Sequence, residues 1–368
     1  MLKELFEKNK DIVINTDIDG FLCGMVLQKY FGCKVVGFSN SRETVWLTPE
    51  VKDIDAPIYI DLYVVRPSVI CIEQHIIAYD RDHHNEIKSF GTKINPNLDR
   101  ERTFVGDMQS DYYHKYPFGT IHYLITLMER EGIRVELPDL WQQWDIKPFD
   151  PKFGTVRSCA GQIILRADDA LYSTLSPYRE NALDWWAWLD PKNAFYSISS
   201  FRQYISSCEI SKARQYKDEI GTFFKALGCD GIDGAFKTVT DASGNLLEKV
   251  KYYRDVVGKI VGMGLSLPEK YDIHKGQYAV QFCRPGYDMA VLHASNLYSY
   301  AFIFGPRPKY PNFSFTLDMV WAIMYTNEDP AYEEYLSTGI DPTGGELGPD
   351  FDPNTGELIE NKEEEDAD

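Results

Sequence analysis

The chain reads as an α/β protein: a parallel-sheet N-terminal domain, a smaller α+β C-terminal domain and a disordered acidic tail. Three observations predict this. Short apolar β-branched runs alternate with helical segments over the first hundred residues, the pattern of a parallel sheet covered on both faces. From residue 278 the chain turns to strand-like runs. Negative charge is concentrated at the C-terminal end.

The elements follow in order. "DIVIN" (11–15) is a short apolar strand that stops at the polar "TDIDG". "FLCGMVLQKYFG" has helical spacing and closes at Gly32, a C-terminal cap. "CKVVGFS" (33–39) is a second strand and "APIYIDL" (56–62) a third that ends in an aspartate. "HIIAYD" (75–80) is read as a fourth, running into "RDHHNE". "GTIHYLITLMEREGI" (119–133) is an amphipathic helix closing at Gly132, and "ALDWWAWL" a helix with core-packed tryptophans. Residues 197–228 are helical and moderately basic. Beyond them "QYAVQFC", "DMAVLHAS", "YAFIFG" and "NFSFTLDM" read as strands of a second, smaller sheet. The expected division is a catalytic domain at 1–195, a helical linker at 196–230, a substrate domain at 231–327 and a tail at 328–368.

Composition narrows the function classes. With 44% hydrophobic and 14% aromatic residues, the 368-residue chain fits a globular protein with substantial cores. "MLKELFEKNKD" is charged and lacks an apolar signal core, and no apolar run reaches the ~18 residues of a spanning helix. The seven cysteines are scattered without a CxxC pair, which argues against a disulfide framework or a thiolate zinc site; a cytoplasmic, membrane-free protein is the expectation. The net charge is −18, but from Glu328 onward 15 acidic residues and one lysine carry −14 of it. The preceding 327 residues are therefore close to neutral, which disfavours long duplex nucleic acid as a ligand. The tail cannot bury enough apolar surface to order itself. It serves solvation or contact with a protein partner.

In open parallel sheets ligands collect beyond the carboxyl ends of the strands, and the polar clusters fall at the expected ends. The first strand delivers Asp17 and Asp19, with Gly20 freeing the turn; the third delivers Asp61; the fourth delivers Asp82, His83 and His84. Each cluster has an ordinary structural explanation taken singly: turn residues, a helix cap, a solvated loop. Together they have the composition of a site for Mn²⁺, which accepts both carboxylate and imidazole ligands, in the two-ion arrangement that hydrolyses phosphoesters.

The order "TDIDG", "YIDL", "DHHN" resembles the three leading motifs of the DHH phosphoesterase superfamily over residues 11–86. The superfamily includes RecJ-like exonucleases, oligoribonucleases, cyclic-dinucleotide phosphodiesterases and manganese pyrophosphatases. The resemblance implies two Mn²⁺ ions, or Mg²⁺, bridged by Asp61. Asp17 would hold one ion, and Asp19 and His83 the other. His84 would face the scissile phosphate, with Asp82 orienting His83. A fourth-motif aspartate is placed at Asp168 in "ILRADDAL", with Asp169 and Asp145 as alternatives. The implied substrate is a single-stranded or short nucleic acid, or a nucleotide.

Three departures stand out. Asn15 occupies a position where many members carry histidine or aspartate. Asp80 and Arg81 intervene before the histidine pair, Arg81 within reach of a phosphate. No glycine-rich GGGH loop closes the second domain, so Arg284, His293, Ser295, Asn296 and Arg307 are substrate-contact candidates by position alone. The alternatives to a phosphodiesterase are a DHH-fold scaffold without turnover and a pyrophosphatase-like phosphoanhydride hydrolase.

Overall fold

The computed structural model describes residues 1–41, 44–64, 66–78, 81–102, 114–176 and 178–275, together with the strand backbones 277–282, 302–303 and 312–317. The mixed α/β character follows from a seven-stranded, mostly parallel sheet.

Helix α1 (Leu2–Lys8) leads into β1 (Asp11–Asn15), whose three central residues are buried. An apolar strand this short, hidden on both faces, belongs at the middle of a covered sheet. Helix α2 (Ile18–Phe31) starts at the N-cap Asp17 and ends at Gly32, whose φ of +67° is the left-handed cap expected of that glycine. Then come β2 (Lys34–Ser39), β3 (Thr44–Leu47), β4 (Ile58–Ile60) and β5 (Cys71–Ile72). Helix α3 (Arg81–Ser89) and β6 (Lys93–Ile94) complete this stretch. Next are α4 (Thr120–Arg130), β7 (Trp144–Ile146), β8 (Val156–Ser158), α5 (Ala160–Arg166), α6 (Ala170–Leu175), α7 (Arg179–Leu189), α8 (Tyr196–Ser207), α9 (Ala213–Ala226) and α10 (Glu248–Val261). The last described elements are β9 (Asp272–Lys275), β10 (Gln277–Phe282), β11 (Phe302–Ile303) and β12 (Asn312–Leu317).

The main sheet has the order β6-β5-β4-β1-β2-β3-β9. Its first five members run parallel, while β3 lies antiparallel to both β2 and β9. The pairs Asn15↔Ser39 and Ile14↔Ile60 align the carboxyl ends of β2, β1 and β4 on one edge of the sheet.

One expectation is corrected here. The apolar run that enters the sheet after β4 is Cys71–Ile72, while residues 75–78 of the expected strand lie outside any strand and the last two of it outside the described residues. The tripeptide Asp82-His83-His84 therefore does not terminate a strand. It lies in α3, where His83, His84 and Ile87 make one buried face and Arg81, Asp82, Asn85, Glu86 and Lys88 are exposed. That spacing is the 3.6-residue period of an amphipathic helix, which wins over a loop tip.

The packing also runs across the expected boundaries at 195/196 and 230/231. One continuous apolar core takes in residues from Leu2 to Tyr271, including Ile198, Phe201, Phe223 and Phe224 of the expected linker. Phe21 of α2 packs edge-on against Tyr253 of α10 at 5.0 Å, and β9 completes the main sheet. Residues 196–275 thus belong to the same packed body, because their apolar helix faces have α2, α4 and α5 to bury against. Strands β10, β12 and β11 form a separate three-stranded antiparallel sheet, in that order, and β7 with β8 a two-stranded one. "QYAVQFC" and "NFSFTLDM" supply two of its strands and "YAFIFG" the short third, while "DMAVLHAS" and the acidic tail lie outside the described residues. Among the described residues no helix is long and apolar enough to cross a membrane.

Candidate functional site

The parallel strands end in residues that cannot stay apolar, because the chain must turn there and the helix N-termini that follow need acceptors. Asp17 caps α2, its Oδ1 accepting from the Gly20 amide at 3.0 Å. Gly20 was expected to free a turn; instead its role is close approach. A Cβ there would stand 2.3 Å from the Asn15 carbonyl oxygen, so only glycine lets the first turn of α2 lie on the end of β1.

Asp19, buried, accepts two bonds from the start of α4: Thr120 N to Oδ2 at 2.6 Å and Ile121 N to Oδ1 at 2.8 Å. A carboxylate at a helix N-terminus satisfies orphan amides and meets the positive end of the helix dipole. Gly119 permits this approach, since a Cβ on it would lie 2.6 Å from Asp19 Oδ2 and 2.8 Å from the Ala167 Cβ. Asp61 follows β4 with φ at +58°, a left-handed conformation that aspartate tolerates better than most residues. Its Oδ1 accepts from the Thr120 hydroxyl at 2.7 Å, and its Oδ2 from the Asn15 amide at 3.0 Å. The same amide nitrogen donates to Asp17 Oδ2 at 3.0 Å. Asn15 therefore ties Asp17 to Asp61, and Thr120 ties Asp61 to Asp19.

Asp168 sits between α5 and α6 with φ +46°, and its charge acts on Asp19, Asp61 and His75. Three carboxyls are pushed upward by this crowding. Burial and the neighbouring Asp19 and Asp233 raise Asp17 to about 7. Burial, opposed by the Ile121 amide, leaves Asp19 at about 6, with Asp168 adding to the rise. Asp61 is held well above the ordinary carboxylate range, by burial and then by Asp19 and Asp17. Among the described residues none of these three forms an ion pair with lysine or arginine. The group either shares protons or neutralises a cation.

The remaining residues singled out in the sequence separate into groups. Asp169 makes ion pairs with Arg166 at 2.7 Å and Lys217 at 3.1 Å, which hold α5 against α9. Asp145 is exposed on β7 and pairs with Arg157 across the β7–β8 ladder at 2.7 Å. Neither joins the cluster. Asp82 and Arg81 are exposed on α3. Neither His83 nor His84 is among the hydrogen-bond partners of Asp17, Asp19 or Asp61. Both ring nitrogens of His84 are buried without a partner, and burial together with Lys88 and Arg81 lowers its pKa. Arg284, His293, Ser295, Asn296 and Arg307 lie outside the described residues.

One histidine was missed. The end of β5 delivers Glu73, Gln74 and His75, beside the end of β4 that delivers Asp61. Glu73 is buried; its Oε2 accepts from the His75 backbone amide at 2.7 Å and lies 3.5 Å from the ring Nδ1. Burial opposes a charge on the imidazole, but the Glu73 hydrogen bond and Asp168 outweigh it and hold the pKa above the ordinary histidine value. The signal for His75 was in the sequence: "VICI" is the more continuous apolar run, and it stops at "EQH".

Among the described residues no three histidine, cysteine, aspartate or glutamate side chains converge as a ready ligand set. The carboxylates are held by backbone amides, Asn15 and Thr120 instead. Their chemistry nonetheless fits a hard divalent cation, being all-oxygen, anionic and without a protein counter-charge.

Comparison with family models, with characterised proteins and with solved structures found no match to this chain.

Proposed function

We propose that the chain is a divalent-cation-dependent phosphoesterase of DHH type, acting on single-stranded or short nucleic acids or nucleotides. The observation that carries this reading is the set of crowded, uncompensated carboxyls Asp17, Asp19 and Asp61 at neighbouring carboxyl ends of a parallel sheet, with Asp168 in their field. Asp17, Asp19, Asp61 and Asp168 would hold Mn²⁺ or Mg²⁺, which supplies an activated water and charge stabilisation at a phosphate. The chain's own contribution is positional. Asn15 fixes the spacing of Asp17 and Asp61, and Thr120 that of Asp61 and Asp19. His75, held by Glu73, places at the next strand end an imidazole whose pKa the Glu73 hydrogen bond and Asp168 raise, suited to proton exchange with a phosphate oxygen or a leaving group.

The test is turnover of single-stranded oligonucleotides, dinucleotides, cyclic dinucleotides and pyrophosphate by the full chain with Mn²⁺, beside an Asp61→Asn variant. Asparagine keeps the size and the left-handed tolerance of Asp61. Loss of at least about 100-fold is expected, the upper end of what removing even an outer-shell partner costs. Turnover of pyrophosphate alone would move the reading to a phosphoanhydride hydrolase. No Mn²⁺-dependent turnover of any substrate would overturn it in favour of a binding protein. One observation favours that second reading: an amide, Asn15, stands at the end of β1 beside the cluster where an ionisable ligand is expected.

A further inference from the structure

Beside Asp17 a cavity of about 380 Å³ opens at the carboxyl ends of β1 and β2. Its size falls within the ~300–1,000 Å³ of small-molecule sites. A larger groove, about 1080 Å³, lies at the opposite ends of these strands, against Asp11 and Lys34, and holds none of the cluster's carboxylates. The smaller cavity is thus the one positioned for chemistry.

Its floor is Asn15 and Asp17, one wall is Asn40 and Ser41 after β2, and the other is the segment 230–237, "DGIDGAFK". That second wall is fixed to the strand end by backbone bonds: Ile18 N donates to Asp233 O and Phe236 N to Thr16 O, each at 3.2 Å. Asn40 Nδ2 donates to Lys237 O across the opening at 3.4 Å. The cavity is therefore built before any ligand arrives.

The two carboxylates of the 230–237 wall differ. Asp230 is neutralised by Lys249 at 3.0 Å and accepts from the Lys237 amide at 2.8 Å. Asp233 uses Oδ1 for the Ala235 amide at 3.1 Å, which shapes the turn. Its Oδ2 has no hydrogen-bond partner among the described residues and faces the same space as Asp17. Lys237 stands on the rim of this wall, but Asp17 and Asp233 form no ion pair with lysine or arginine among the described residues, so the inner lining of carboxylate, amide and hydroxyl groups suits a neutral ligand that donates hydrogen bonds better than an anion. Two adjacent hydroxyls on a sugar meet that requirement, since a carboxylate facing the crevice beyond the strand ends, as Asp233 does from its loop, accepts from a ribose hydroxyl.

We infer that this cavity holds the ribose of a nucleotide, with Asp233 accepting from its 2′-hydroxyl, so that the chain selects ribonucleotides over deoxyribonucleotides. The inference rests on the phosphoesterase reading for its substrate class. Its test does not use turnover. Adenosine and 2′-deoxyadenosine are titrated by calorimetry into the full, metal-free chain. Adenosine is expected to bind about 10-fold tighter or more, the worth of one hydrogen bond to a charged group. Asp233→Ala, checked for an unchanged melting temperature, should abolish the difference; Asp233→Asn, which keeps an acceptor for the Ala235 amide, should narrow it. Equal affinity of the wild type for the two nucleosides, binding of neither, or discrimination that survives Asp233→Ala each overturns the inference. Ribose discrimination without Mn²⁺-dependent turnover would instead overturn the phosphoesterase reading and leave the ribose pocket standing. Where turnover exists, the kcat/KM ratio of ribo- over deoxyribo-dinucleotide should follow the binding ratio in wild type and variants.

Discussion

Two regions of this molecule carry acidic residues and histidine in close sequence, and they do opposite things. At the ends of β1 and β4, Asp17, Asp19 and Asp61 come from two segments and act on one another, and His75 follows at the neighbouring end of β5. On α3, Asp82, His83 and His84 are consecutive and yet divided between faces, Asp82 outward and the histidines inward. Adjacency in sequence gives a helix no shared focus, since neighbouring residues point about 100° apart. Adjacency of strand ends does, because parallel strands lie only ~5 Å apart and all terminate on one edge.

Three experiments sharpen or break this contrast. The largest expected effect is on turnover: His75→Ala should lower Mn²⁺-dependent kcat by about 100-fold, within the range of general acid–base contributions. Asp82→Ala in parallel should change it less than about two-fold, as for an exposed helix residue. A large loss in Asp82→Ala with normal activity in His75→Ala would return the site to α3. The next effect is on stability. Gly119→Ala forces α4 away from Asp19 and should cost about 1–3 kcal/mol in denaturant unfolding, the range for overpacking. An unchanged midpoint would mean that the bonds from Thr120 and Ile121 do not hold the cluster.

The smallest effect is a slope with pH. Asp17 and Asp19 keep their protons to about 7 and about 6 in the folded chain, and Asp61 is raised as well. The unfolded chain releases them near pH ~4. Between these limits the folded state binds more protons, so this contribution is fully present below the unfolded pKa and is lost as pH rises through the folded values. In EDTA the melting temperature should therefore fall from about pH 5 to pH 8, less so in Asp61→Asn, and Mn²⁺ should flatten the fall. A melting temperature that rises across this window would show that the three carboxyls are not crowded.

Much of this was legible from local pattern. The strands 11–15, 34–39 and 58–60 were visible as apolar runs ending in polar residues, and each sits near its expected place. "TDIDG" and the aspartate of "YIDL" were identified at strand ends, because an apolar strand that must stop leaves an obvious mark. The fourth strand was misread, since "VICIEQHIIAYD" offers two apolar runs and a two-residue strand, Cys71–Ile72, gives too little periodicity to choose between them. The separation of Asp168 from its neighbour Asp169 was equally closed to the sequence. Only the positions of Arg166 and Lys217 make one a structural ion pair and leave the other facing the cluster.

The sequence by itself determined that this is a mostly parallel α/β chain with carboxylates at its strand ends, because burial and chain reversal are written in local hydrophobicity. The tertiary structure alone decided that Asp168 acts on them while Asp169 pairs elsewhere, which glycines let backbone and carboxylate touch, and that the segment 230–237 closes a cavity over Asp17. Those facts depend on contacts between residues as far apart as Asp19 and Thr120 or Thr16 and Phe236, and no local pattern encodes distances across the fold.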